Sequence, residues 1–316
     1  LVDLTDKLSD SYKNDLFDVV KDSVTVGGKY YAVARDVSAM AMYLNKDVFE
    51  KRGVALPGDD WTMDDFTRIA GELSQGTGKD QTWGYCSKRN PGDIFTMVNI
   101  YGGKFFDPEK NECLIDEQKA VDGIYYIYDM VAQSKFMTTT QMKTYGKGDG
   151  YESFNAGVVG MIYGANSVVT NLEKDVKYVV RPIPKKDGVS SSYAFVNTWA
   201  IPKTAKNLDW SIKIAEYFSG AEGQKIVTDT GMGLPAAKSV DVKEFLAKDE
   251  NNKYFIDAVA NSKSYPKGIT GAAFEGMFKN NLKENLWDVV GLTKEQVTKI
   301  IKDTDALCQK EMDAAK

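Results

Sequence analysis

Apolar and polar positions follow two different rhythms along this chain. Two β-favouring runs, at residues 24–26 and 29–33, are joined by Gly27-Gly28, a combination that predicts a hairpin. Ahead of them residues 11–21 read as a helix, and behind them the apolar run 37–44 reads as a strand. Asn45 and Gly53 then bracket another helix, since a short polar side chain suits its start and a glycine its end. Thr62 and Asp65 open the next one as a capping box, in which each side chain serves the other residue's backbone N–H. Phe66, Ile69, Ala70 and Leu73 keep the spacing of one buried helical face.

The same reading predicts strands at 83–86, 158–163, 178–180 and 195–201. It predicts helices from Asn90-Pro91 onward, at 116–135, 208–218, 221–229, 242–247 and 254–260, and as a set filling 272–312. Strands separated by helices predict an α/β architecture with sheets covered on both faces. At 316 residues the chain has room for about two domains. It carries neither an internal repeat nor a low-complexity linker, so strands themselves are expected to cross between the domains.

Composition excludes more than it names. With 43% apolar and 27% charged residues the chain is an ordinary folded protein, and no run of ~18 apolar residues is present to span a membrane. A net charge of −5, with basic residues scattered among acidic ones, argues against nucleic acid as a partner. Histidine is absent, which removes Ser-His-Asp and Cys-His nucleophiles and most catalytic zinc sites. Cys86, Cys113 and Cys308 are far apart in sequence, suit neither a zinc knuckle nor a redox pair, and read as plain buried thiols. The stretches at 76–80, 148–150 and 231–233 miss the phosphate-loop, calcium-loop and dinucleotide patterns, so no cofactor and no metal are implied. The chain opens at Leu1 with no signal segment, and is expected to be a processed or partial product.

Several segments, in order, resemble one family. Arg35-Asp36-Val37-Ser38-Ala39-Met40, running on to Tyr43-Leu44-Asn45, is similar to the first hinge crossing of family 1 extracellular solute-binding proteins, the maltose-binding-protein-like sugar receptors of ABC importers. Phe154-Asn155-Ala156-Gly157 with Gly160-Met161-Ile162-Tyr163-Gly164 matches a further family motif, as does Trp199-Ala200-Ile201 with Lys206-Asn207. So do Phe218-Ser219-Gly220-Ala221-Glu222-Gly223-Gln224-Lys225 and Gly231-Met232-Gly233-Leu234-Pro235-Ala236. The resemblance implies a two-lobed, periplasmic-binding-protein-like (Venus-flytrap) α/β fold with hinge strands crossing between lobes. Residues 1–39 and 196–264 would form the first lobe, and 40–195 and 265–316 the second. A segment of about 70–90 residues precedes this region in the family, so the first lobe is expected to be incomplete.

The resemblance further implies a carbohydrate-binding receptor of a bacterial ABC importer. It would close over a mono- or oligosaccharide, pass it to the permease subunits, work as a monomer and contain no catalytic residue. Its place would be the periplasm or the extracellular face of the cell membrane, met only through a lipid anchor upstream of Leu1. Two alternatives stay open: an extracellular carbohydrate-active enzyme, or a receptor for a polyol or glycerol phosphate. A glycosidase needs two carboxylates ~5–9.5 Å apart, which nothing in the spacing of Asp36, Asp93 and Glu275 demands.

Sugar recognition needs aromatic faces for the C–H side of the ring, and amides, carboxylates or guanidinium groups for paired hydroxyls. The resemblance puts Arg35, Asp36 and Ser38 at the cleft wall, although Arg35 and Asp36 also read as a structural ion pair. Arg89, Asn90 and Asp93 stand where a helix begins, a concave edge with free N–H groups, and Asn90 reads also as a plain N-cap. Many relatives carry Trp just after Gly164; Ala165-Asn166-Ser167 stands here instead, which leaves Tyr163 or Phe274 to supply an aromatic face beside Asn166. Tyr163 reads also as core. Trp199 on the second crossing strand and Met232 in a glycine-rich loop complete the set, with packing and a tight turn as their other readings.

Overall fold

The computed structural model describes residues 1–86, 91–148, 150–264, 276–287 and 289–314. Its strands are β1 (Thr25–Val26), β2 (Lys29–Tyr30), β3 (Val33–Asn45), β4 (Trp83–Cys86), β5 (Phe106–Asp107), β6 (Glu112–Cys113), β7 (Phe136–Met137), β8 (Val159–Ala165), β9 (Tyr178–Arg181), β10 (Tyr193–Trp199) and β11 (Lys263–Ser264). Helices separate most of them, and the class is α/β as the mixed periods predict. The chain divides into two compact units. The first holds Leu1–Ala41, Gly164–Asn171 and Ser192–Tyr265, and the second Met42–Tyr163, Leu172–Ser191 and Pro266–Lys316. The chain changes unit inside β3, after Ala41, and inside β8, after Tyr163, so strands do the work of a linker.

In the first unit the sheet runs β11-β10-β3, with β10 parallel to β11 and antiparallel to β3. The β1–β2 hairpin turns at Gly27 and Gly28, whose φ values of 56° and 75° glycine adopts without strain. The helix expected at 11–21 is two, Asp10–Asp15 and Asp18–Val24. Leu16 and Phe17 between them are extended because they pair elsewhere: Leu16 bridges Ala237, and Phe17 N donates to Ala236 O at 3.1 Å. A tertiary ladder here outweighs a continuous helix.

Gln224 fixes that returning segment. Its side chain is buried, Nε2 donates to Ser219 O at 2.6 Å, and Oε1 accepts from Ala236 N at 2.7 Å and Ala237 N at 3.0 Å. The helix Ala221–Asp229 is thereby tied to residues 234–237. These reach β3 through reciprocal bonds, Val37 N to Leu234 O at 3.0 Å and Leu234 N to Val37 O at 2.9 Å.

In the second unit the order is β9-β3-β8-β4-β7, with β4 parallel to β7 and β8 and β9 antiparallel to β3. The helix Met63–Leu73 opens on the expected capping box and buries Phe66, Ile69, Ala70 and Leu73. Phe66 meets Trp61, Tyr85 and Phe136 at ring separations of 5.8, 5.4 and 5.7 Å, the aromatic centre of this unit's core. The C-terminal set resolves into a π-helix, Gly276–Trp287, and an α-helix, Lys294–Ala314. The β5–β6 hairpin and the helices Thr139–Lys143 and Tyr151–Asn155 escaped the sequence pattern because none is long enough to show a period. Among the described residues no helix is long and apolar enough to cross a membrane.

Asn45 joins two of these elements. It is 2% exposed, its Oδ1 accepts from Asp47 N at 3.1 Å and Val48 N at 3.2 Å, and its Nδ2 donates to Phe154 O at 2.9 Å. Asn45→Ala removes a helix cap (~1 kcal/mol) and strands a buried carbonyl (~1–2 kcal/mol), so unfolding in urea should lose about 2–3 kcal/mol. Asn45→Ser, which keeps a cap acceptor but cannot reach Phe154, should recover about 1 kcal/mol of that.

Candidate functional site

The strand pair β3–β10 sets the geometry. Asp36 lies opposite Asn197 and Ala34 opposite Thr198, so Arg35 is an extra residue of β3 with no partner in this register. A bulge of this kind bends the strand and re-aims its side chains. In regular alternation Arg35 and Asp36 would point to opposite faces. Here Arg35 Nε reaches Asp36 Oδ2 at 2.5 Å, and Asn197 Nδ2 donates to the other oxygen, Oδ1, at 2.6 Å. The Asp36 side chain is 2% exposed while that of Arg35 is 41% exposed. The carboxylate is therefore an internal anchor, and the guanidinium it holds still meets solvent.

The rest of this face follows from register. Ser38 lies opposite Phe195, and alternation along β10 puts Tyr193, Phe195, Asn197 and Trp199 on one side. Phe195 is 47% exposed, with the Tyr193 ring edge-on to it at 6.4 Å. Trp199 is half-buried, and the Phe218 ring meets it at 5.4 Å in a T-shaped contact. The loop 231–234 closes the group from another side: a Cβ on Gly233 would stand 2.6 Å from the Cβ of Asp36, so only glycine allows this approach. Met232 beside it is exposed, and the buried Asn166 donates from Nδ2 to Gly231 O at 3.4 Å.

The fold thus brings Arg35, Asp36, Ser38, Asn166, Trp199 and Met232 into the first unit, around β3, β10 and the 231–234 loop. It makes Asn197 the second partner of Asp36, and adds Phe195, which the sequence placed only in a crossing strand. The signal for both was the cross-strand register, which a single sequence does not print. A separate surface depression of about 610 Å³ in this unit, lined by Ser9, Tyr12, Asp15, Glu216 and Ser239 among others, shares no residue with the group.

The second unit holds a smaller polar group. The helix Pro91–Ile100 carries Asp93 in its first turn, and both Asp93 and Thr96 are buried. Thr96 Oγ1 and Tyr163 OH are 2.5 Å apart and share a hydrogen bond. Burial first, and then the Asp93 charge, push the Tyr85 phenol well above its usual pKa. Asp93 thus shares a helix with Thr96, the hydrogen-bond partner of Tyr163, whereas Arg89, Asn90 and Phe274 lie outside the described residues.

The family model described as bacterial extracellular solute-binding protein matches residues 1–254. A binding protein of Brucella abortus is 22% identical over 237 residues, covering 73% of this chain and 56% of that protein, so the chain spans about half the length of the curated relatives it matches. An arabinooligosaccharide-binding protein of Halalkalibacterium halodurans is 30% identical over 104 residues, 33% of this chain and 22% of its own. The solved structure of an ABC substrate-binding protein from Listeria monocytogenes in complex with cycloalternan aligns with 99% of this chain and 79% of its own, at a TM-score of 0.75 and 18% identity. At that identity the likeness is one of fold, and this chain shares the fold of that ABC substrate-binding protein.

Asn197→Ala leaves Asp36 Oδ1 buried without its donor and should lower stability by about 1–3 kcal/mol. Asn197→Asp should cost more at neutral pH, because two carboxylates then face each other. Like charge raises the pKa of one of them, so the deficit relative to wild type should shrink as pH falls through the carboxylate range. Urea unfolding of the three proteins between neutral and acidic pH reads both effects.

Proposed function

This chain belongs to the bacterial extracellular solute-binding protein family, and we propose that it is the carbohydrate-binding receptor of a bacterial ABC importer. The observation that carries this reading is the set Arg35, Asp36, Asn197 and Phe195 on one sheet face of the first unit. Phe195 offers an aromatic surface to the C–H face of a sugar ring. The guanidinium of Arg35 bonds neighbouring hydroxyls, oriented by a carboxylate that is itself out of reach of solvent. A site ordered beforehand loses little side-chain entropy on binding, which favours a ligand whose own hydroxyls are heavily solvated. The names of the relatives, an arabinooligosaccharide binder and a cycloalternan complex, support the same class of ligand.

In this proposal Ser38, Asn166, Trp199 and Met232 border the sugar on the first unit, and Asp93 and Tyr163, with Arg89, Asn90 and Phe274, serve it on the second. The two units act as lobes that close by hinge bending where β3 and β8 carry the chain across. The sugar shifts the open–closed balance only by its differential affinity for the closed form. The closed receptor, a monomer outside the cytoplasmic membrane and held there by a lipid anchor upstream, hands the sugar unchanged to the permease subunits.

A thermal-shift screen across mono- and oligosaccharides, polyols and glycerol phosphates tests the proposal. A cognate sugar at a hundredfold excess over its Kd should stabilise the fold by about 2.7 kcal/mol. Phe195→Ala should keep the urea midpoint within about 0.5 kcal/mol, since the ring is already exposed, and weaken the sugar about tenfold, ~1.4 kcal/mol. Cleavage of the sugar during incubation, or stabilisation by glycerol phosphates alone, overturns the reading.

A further inference from the structure

Sequence spacing separates Cys113 from Cys308, yet the fold sets them together in the second unit. Asp305, Cys308, Gln309 and Met312 recur at the spacing of one helical face on Lys294–Ala314. That face reads the backbone of the β5–β6 hairpin and the residues after it. Cys113 N donates to Gln309 Oε1 at 2.9 Å, Gln309 Nε2 donates back to Asn111 O at 3.0 Å, and Ile115 N donates to Asp305 Oδ1 at 3.1 Å. With Asp305 and Gln309 both fixed on this segment, the Cys308 side chain between them is delivered to Cys113. Cys308 Sγ itself donates to Met312 Sδ at 3.9 Å, and the neighbouring Cys308 first, then burial, holds the Cys113 thiol far above its ordinary pKa. Cys113 is 6% exposed and Cys308 1%. Cys86 stands apart at the end of β4, its sulfur against Gly150.

We propose that Cys113 and Cys308 are a disulfide-forming pair that tethers the C-terminal helix to the β5–β6 hairpin when the protein matures in an oxidising compartment. The pairing rests on geometry, and the oxidising setting on the extracellular character of the family. The oxidant is a small-molecule or oxidoreductase disulfide. One cysteine thiolate attacks a sulfur of that disulfide and releases one external thiol. The second cysteine then displaces the other external thiol from the mixed disulfide, so two protein protons and two electrons end on the oxidant as two thiols. With the helix face of Cys308 bonded to the backbone at Cys113 and Ile115, the two sulfurs approach to a bond length of about 2.0 Å as the disulfide forms. In the docked helix both sulfurs are buried away from an external disulfide, so oxidation belongs to the folding stage, before Cys308 is buried. The bond closes a loop running from residue 113 to residue 308, and long loops restrict the unfolded chain most.

The full chain, unfolded in urea and refolded with oxidised and reduced glutathione, tests this without any variant. Non-reducing peptide mapping should join the Cys113 and Cys308 peptides at a mass about 2 Da below their sum, with Cys86 the single thiol titrated in denaturant. The oxidised protein should unfold at a higher urea concentration than the reduced one. Cys308→Ser and Cys113→Ser should each abolish that difference, and Cys86→Ser should preserve it. Three titratable thiols after oxidative refolding, or cross-links that involve Cys86, overturn the proposal.

Discussion

The first unit's site depends on one buried carboxylate. Taking an ion out of water costs several kcal/mol, and an ion pair returns this only where geometry is good and the remaining lone pairs are met. Asp36 meets that condition through a bulge: one extra residue in β3 swings Arg35 onto Oδ2, and the cross-strand position opposite supplies Asn197 to Oδ1. The partners are unequal. Asn197 completes an internal contact, while Arg35, with 41% of its side chain exposed, has a screened interaction and donors that still face water. The Arg–Asp pair is therefore neither a plain surface salt bridge nor a pair of equal ligands. One member positions and the other is positioned.

That anchor holds only if the loop over it stays in place, and Gln224 keeps it there. Its amide joins the helix Ala221–Asp229 to residues 236 and 237, and the same return delivers Leu234 to Val37 and Gly233 to the Asp36 stem. The two glycine- and glutamine-bearing segments singled out in the sequence, 218–225 and 231–236, are thus parts of one support. Their recurrence as motifs has a physical reason: a buried amide with donor and acceptor both satisfied, and a glycine that a methyl group cannot replace.

How much of this the sequence disclosed divides by range. Caps and short-range periods were legible, because Asn45, Thr62 with Asp65, and Gly27-Gly28 act on their own neighbours. The α/β class followed from the order of elements, and the strand crossings from the absence of a linker. What stayed hidden was set between distant residues. The helix expected at 11–21 broke because Leu16 and Phe17 pair with 236–237, and the place of Phe195 opposite Ser38 was set by cross-strand register. Cys113 and Cys308, read as plain thiols, came to neighbouring elements because Gln309 and Asp305 dock one helix face on the segment of Cys113.

β3 is one strand shared by two ladders. It runs for 13 residues, against about 5–6 for an ordinary strand, because two antiparallel ladders use it in turn. β10 pairs with it from Val33 to Ala39, and β9 from Met42 to Asn45. The chain changes unit between Ala41 and Met42. A change of φ and ψ at Met40 or Ala41 therefore breaks no antiparallel pair of either register. Composition follows the same division: Arg35, Asp36 and Ser38 interrupt the first ladder with polar side chains, while residues 41–45 are buried throughout. The polar half presents chemistry and the apolar half fastens the strand into a core. The step between them, Met40 and Ala41, lies outside both antiparallel ladders.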